Sequence, residues 1–152
     1  MIDKPSALMS ADVQKASAVL LEFMSVMKEW ENKFAALYKR ENGGPEAHGS
    51  QAKIELQLIY QGYLTERDRK LGRMAGPSAG YPPEFDPDAE KIISSESINN
   101  RKVVFETLWT HPKVPSSTQQ HRYTMLCKNG EWRLDRKETF RSFEAKWVKR
   151  VL

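Results

Sequence analysis

An α+β fold is predicted for this chain of 152 residues, with helices first and an antiparallel sheet after them. Three observations carry the prediction. Apolar residues recur at three- and four-residue spacing through the first quarter of the chain, the period of one helix face. From about residue 91 the pattern shifts to short alternating runs. Within those runs, Asn129-Gly130 is the strongest short hairpin signal, a type I′ turn matched to strand twist.

Residues 10–41 read as one helix. Ser10 suits the N-cap, where its oxygen accepts from an unpaired first-turn N–H. Asp12 sets negative charge at the positive end of the helix dipole. Val13, Ala16, Leu20, Phe23, Met27, Trp30, Phe34 and Leu37 then form one continuous stripe. Such a stripe suits either a coiled-coil dimer or a helix lying across a sheet. The bulk of Phe23, Trp30 and Phe34 favours the sheet, and a homodimer stays open. Gly43 and Gly44 should end the helix.

A second helix is expected from Ser50 to Leu71, with Ile54, Leu58, Ile59 and Leu64 beside Tyr60 and Tyr63. Gly62 within it costs about 1 kcal/mol relative to alanine, which points to a kink or a close contact. Glu66 and Lys70 would form an i,i+4 pair in the favourable direction. Residues 74–91, MAGPSAGYPPEFDPDAEK, must be a loop, and loops of that length in compact domains tend to carry function.

KIISSES and RKVVFETLWT flank Asn99-Asn100, a pair that tolerates positive φ in a two-residue turn. Val103, Phe105, Thr107 and Trp109 share one face of the second run. HPKVPSST is a loop, since its prolines cannot donate to a central ladder. The Asn-Gly turn fixes the next register: Lys128 opposite Glu131, Cys127 opposite Trp132, Leu126 opposite Arg133, Met125 opposite Leu134, Thr124 opposite Asp135, Tyr123 opposite Arg136. Tyr123, Met125, Cys127, Trp132 and Leu134 thus form an apolar face, and Arg133 and Asp135 point away from it. Phe140, Phe143, Trp147, Val148 and Val151 fall at helical spacing, so residues 138–152 read as a short amphipathic helix.

The length is that of one domain, 1–152, with 1–9 a flexible terminus. Cys127 is the single cysteine, and beside Trp132 it reads as a buried, inert thiol. One thiol, no secretory-type leader and no run of about twenty apolar residues together suggest a cytoplasmic protein away from membranes. The pI of 9.2 is uneven in origin. Residues 1–118 hold 15 Lys and Arg against 16 Asp and Glu, whereas residues 119–152 hold 9 against 4. Those basic residues alternate with acids and core-type aromatics, which argues against a nucleic-acid stripe.

The search for chemistry yields little. GPSAG, residues 76–80, matches the nucleophile-elbow pattern around Ser78, but that elbow needs a strand before it and a helix after it. A helix end precedes it and YPPEFDP follows. His48, His111 and His121 lack metal-site spacing. Glu84, Asp86, Asp88 and Glu90 resemble the start of a calcium loop, but Pro87 and the missing glycine argue against it. No catalytic residue, metal ligand or cofactor site is assigned.

LTERDRKLGR, GYPPEFDPDAEKI, YTMLCKNGEWRLDRKE and the closing FEAKW, in that order after a long first helix, resemble the bacterial immunity proteins of the nuclear-transport-factor-2-like fold. The resemblance covers residues 13–152. It implies a curved antiparallel sheet wrapped round helices as a cone with a pocket. It also implies a non-enzymatic, cofactor-free bacterial protein that neutralises the cognate toxin of a polymorphic toxin system. No residue-level binding motif comes with it. The competing expectation is a small-molecule binder or a ketosteroid-isomerase-like enzyme using the cone pocket. Tyr60, Tyr63 and Tyr123 would supply its hydroxyls, yet Asp135 and Glu106 fall on the wrong faces to be its base. For toxin binding the long loop is the expected surface, with Tyr81 and Phe85 as anchors ringed by Glu84, Asp86 and Asp88.

Overall fold

The computed structural model describes residues 10–67, 69, 79–80, 82–150 and 152. Helix α1 runs Ala11–Leu37, and Ser10 caps it by accepting from the Val13 amide at 3.1 Å. Its expected stripe is buried from Val13 to Phe34, joined by Met24 and Glu31. The helix stops at Leu37, before the glycines, and a short 3-10 turn at Arg40–Asn42 follows. Gly43 and Gly44 take φ of 110° and 71°, the left-handed region that glycine enters without steric cost.

Helix α2 spans Gly44–Tyr63, earlier at both ends than expected. Pro45 lies in its first turn, where the missing N–H has no partner to lose. Its end is set by Leu64, which turns extended and bridges Leu134 of the sheet, with the Thr65 amide on the Leu134 carbonyl at 2.9 Å. Glu66 is thus outside the helix, and its expected partner Lys70 lies outside the described residues. Gly62 has no described atom within 4 Å of where a Cβ would sit, so the close contact inferred from its cost is not found.

Five strands follow: β1 Glu90–Asn99, β2 Lys102–Thr110, β3 Thr118–Lys128, β4 Glu131–Arg141 and β5 Lys146–Arg150. They pair antiparallel in sequence order, and register shifts in β1–β2 and β3–β4 are the devices that bend a sheet. The curved sheet packs on the helices, and the core joins Phe23, Trp30 and Phe34 of α1, Leu56 and Tyr60 of α2, and Phe105, Tyr123, Met125 and Leu134 of the strands. The Trp30 indole donates to the Ala52 carbonyl at 3.0 Å, tying α1 to α2 inside that core.

Three strand expectations are corrected. The β1–β2 turn is Asn100-Arg101, because Asn99 pairs with Lys102, and neither Asn99 nor Asn100 takes positive φ. Asn129 and Gly130 do, at 54° and 78°, and the expected register holds from Lys128↔Glu131 to Met125↔Leu134. There a bulge intervenes: Thr124 faces Arg136 and Tyr123 faces Lys137. The extra residue is Asp135, buried rather than outward, and it accepts from the Thr65 hydroxyl at 2.7 Å.

The C-terminal helix is also absent, and residues 146–150 form β5. β4 presents an open edge that needs a partner, and Phe140 meets Trp147 edge-on at 5.3 Å across the pair. Ala145 turns the chain at φ 52°, and Phe143, expected on an apolar helix face, lies exposed in that turn.

Candidate functional site

The β3–β4 bulge carries a consequence for the inside of the cone. By shifting alternation one residue, it turns Lys137 inward, where it is only 2% exposed. A buried ammonium needs compensation. Glu84 supplies it at 3.2 Å, and the faces of Phe85 and Tyr123 lie 4.6 and 5.6 Å from the Lys137 nitrogen, a cation–π arrangement.

Residues 82–89 lie across this charge as a lid, and α1 fastens them. Buried Glu31 accepts the Glu84 and Phe85 amides at 2.7 and 3.3 Å. Lys28 pairs with both Asp86 and Asp88 at 3.0 Å, and Asp86 also accepts the Asp88 amide at 2.9 Å. Phe85 fills the space beneath, edge-on to Phe23 at 5.0 Å.

Deeper still lies Glu90, an inward carboxylate at the head of β1. It takes the Thr107 hydroxyl on Oε2, whereas its Oε1 and the Tyr123 hydroxyl are both buried without a hydrogen-bond partner. Burial pushes Glu90 above the usual carboxylate range, with Lys137 pulling the other way. Burial and the nearby Glu90 push the Tyr123 hydroxyl up as well. His121 is buried beside them, hydrogen-bonded through Nδ1 to Thr139 at 3.0 Å. Desolvation, reinforced by Lys137, lowers it to about 3, so its imidazole is neutral at physiological pH.

Among the described residues a cleft of about 250 Å³ opens at the mouth, bounded by Pro82, Pro83, Trp109, His121, Lys137 and Arg150. Ligand pockets run from about 300 to 1,000 Å³, so this cleft suits a side chain more than a substrate. Chemically the interior is a set of groups that neutralise one another: Glu84 against Lys137, Lys137 against Glu90. Among the described residues no group of three or more His, Cys, Asp and Glu is placed to hold a metal ion.

The predicted residues fall in different places. Of the loop set, Phe85 is 1% exposed and Asp86 is buried; they hold the lid from beneath and are not surface anchors. Glu84 sits half-exposed at the edge, and the Asp88 side chain is 86% exposed. Tyr81 lies outside the described residues, as do Gly76 and Ser78 of the elbow match. The three tyrosines do not line one pocket. Tyr60 packs in the core, and Tyr63 is only half-buried; its hydroxyl donates to Glu22, which raises its pKa to about 12. Only Tyr123 reaches the charged interior. Cys127 is half-buried.

Sequence reasoning missed Glu31, Glu90 and Lys137. For Glu90 the signal was present: even a turn at Asn99-Asn100 sets it opposite Trp109, on the inward face. For Lys137 there was none, because it depends on the bulge.

The sequence profile of the family described as NTF2 fold immunity protein matches residues 15–151. Immunity protein RhsIA of Dickeya dadantii (strain 3937) is 40% identical over 138 residues, covering 91% of this chain and 96% of the relative. No solved structure matches the chain significantly.

Proposed function

This chain belongs to the NTF2-fold immunity protein family, and from that premise we propose that it binds a cognate protein toxin and neutralises it by occupying it, without catalysis. The observation that carries the reading is the family match over 15–151, which takes in all but the first turn of α1, the whole of α2 and the whole sheet. Its relative's name, Immunity protein RhsIA, supports a toxin of a polymorphic system as the partner, and the proposal places that encounter in the bacterial cytoplasm. No helix among the described residues is long and apolar enough to cross a membrane.

The cone's interior supports the same reading. Its buried ammonium, Lys137, is held by Glu84 and covered by the chain's own lid, which directs the reading to the outer surface as what the molecule offers a partner. A stable interface needs roughly 800 Å² from each side. The lid's outward edge, Glu84 and Asp88, would contribute rim charge to it, with Phe85 and Asp86 as the support below. Rim charges act mainly on the rate of encounter.

The test is co-expression. Bacteria producing the toxin encoded beside this chain should survive when the chain is produced with it and die when it is not. Death in both cases, with the chain folded and abundant, would remove the proposal.

A further inference from the structure

α2 buries one apolar stripe and leaves two large apolar side chains, Ile54 and Leu58, exposed on another face. Ala52, Leu56 and Tyr60 are buried against α1 and the sheet. On the other side Ala47, Gln51, Ile54, Leu58 and Gln61 recur at four, three, four and three residues, and all five are exposed. Ile54 is 53% and Leu58 64% exposed, high values for residues that gain from leaving water. Gly62 follows Leu58 by one turn, and no described atom lies within 4 Å of where its Cβ would sit, so the shelf ends where another backbone can approach closely. Between residues 49 and 63 the charged side chains are Lys53 and Glu55, and Glu55 is tied to Lys33 at 2.8 Å.

The shelf runs into a cluster of arginines. Arg133, on β4 beside the Leu64–Leu134 bridge, caps the end of α2 through the Gln61 carbonyl at 2.7 Å. Arg67 and Arg136 both lean on Asp135, at 3.4 and 3.7 Å. Arg69 spends its donors on Thr65 and the Asp135 carbonyl. Burial first, and then the like charge of Arg67, lowers the pKa of Arg69, as expected where positive charge is crowded. Among the described residues, Asp135 pairs with Arg67 and Arg136, and Glu131 with Arg133.

We infer that the exposed stripe of α2, Ile54–Leu58–Gly62, with the Arg67, Arg133 and Arg136 cluster at its end, is the face that docks the toxin. The partner surface it fits is an apolar patch bordered by carboxylates. The inference rests on the toxin-binding reading and adds where on this chain the anchor lies. An apolar centre with charged groups at one margin is the usual make-up of an affinity-determining patch, and the sign of the margin selects an acidic partner.

The test is a calorimetric titration of the purified chain with a catalytically inactive form of the toxin encoded beside it. Ile54→Glu with Leu58→Glu should weaken binding at least ~100-fold. Both sites are exposed and glutamate is a good helix former, so thermal melting should show the fold intact. Arg136→Gln should weaken binding about 10-fold and flatten its salt dependence. A double variant that binds like the parent overturns the inference while leaving the toxin reading standing. So does a parent dimer that the double variant splits, since the shelf's occupant would then be a second copy. A parent chain that does not bind the toxin removes the toxin reading itself.

Discussion

Lys137 is the residue on which the interior depends. It pairs with the half-exposed carboxylate of Glu84 and feels the buried one of Glu90, with the rings of Phe85 and Tyr123 beside it. Removing one member of a buried charge set leaves the others uncompensated, a loss of about 3–5 kcal/mol. Lys137→Met is therefore expected to lower stability by about 3 kcal/mol in a denaturant titration; an unchanged midpoint would mean that the charges are better solvated than their burial indicates. His121 makes a pH prediction. In the folded chain its pKa is lowered from 6.5 to about 3, whereas the unfolded imidazole takes a proton below about 6.5. Between these values the unfolded state binds more protons, so the His121 contribution to stability falls as pH drops through that window. Glu90 has the opposite sign, since its raised pKa lets the folded state hold a proton to higher pH. Replacement isolates the histidine: His121→Gln should flatten the acid side of the stability–pH curve, and an unaltered slope would show that His121 is not the group responsible.

At the scale of elements, the Asn129-Gly130 hairpin was legible because two adjacent residues determine it locally. Both adopt positive φ. Gly130→Ala should cost about 1 kcal/mol, the penalty of a Cβ in the left-handed region, measured as a lower thermal midpoint. No change would mean that the turn relaxes to another type. The long stripe of α1 was legible for a similar reason, being set by eight positions that all agree. The elements that departed from expectation were decided by partners far away in sequence. α2 ends where Leu64 meets Leu134. β5 exists because β4 has an edge to fill, although its residues fit a helical period equally well. The bulge at Asp135 is stabilised by Thr65 and Arg67, residues some seventy positions away that no local pattern connects to it. The same distance explains the loop residues. Phe85 and Asp86 looked like surface features because a proline-rich segment gives no periodicity from which to read inward and outward sides, and their burial depends on Phe23 and Lys28 of α1.

At the scale of the molecule, two helices and a five-stranded curved sheet make a cone closed by its own lid, in a chain whose family neutralises toxins. An internally compensated core and an exposed apolar helix face ending in arginines both suit a protein that acts by being bound. Such a protein must act in proportion to its amount, whereas a catalyst need not. Adding purified chain to a fixed quantity of active toxin, and assaying toxin activity after each addition, tests this most directly. The account predicts a loss of activity that is linear in added chain and complete near equimolar addition, with activity recovered when the complex is separated under denaturant and the toxin refolded. Toxin that stays active in excess chain, or that is lastingly inactivated by a small fraction of an equivalent, would contradict it.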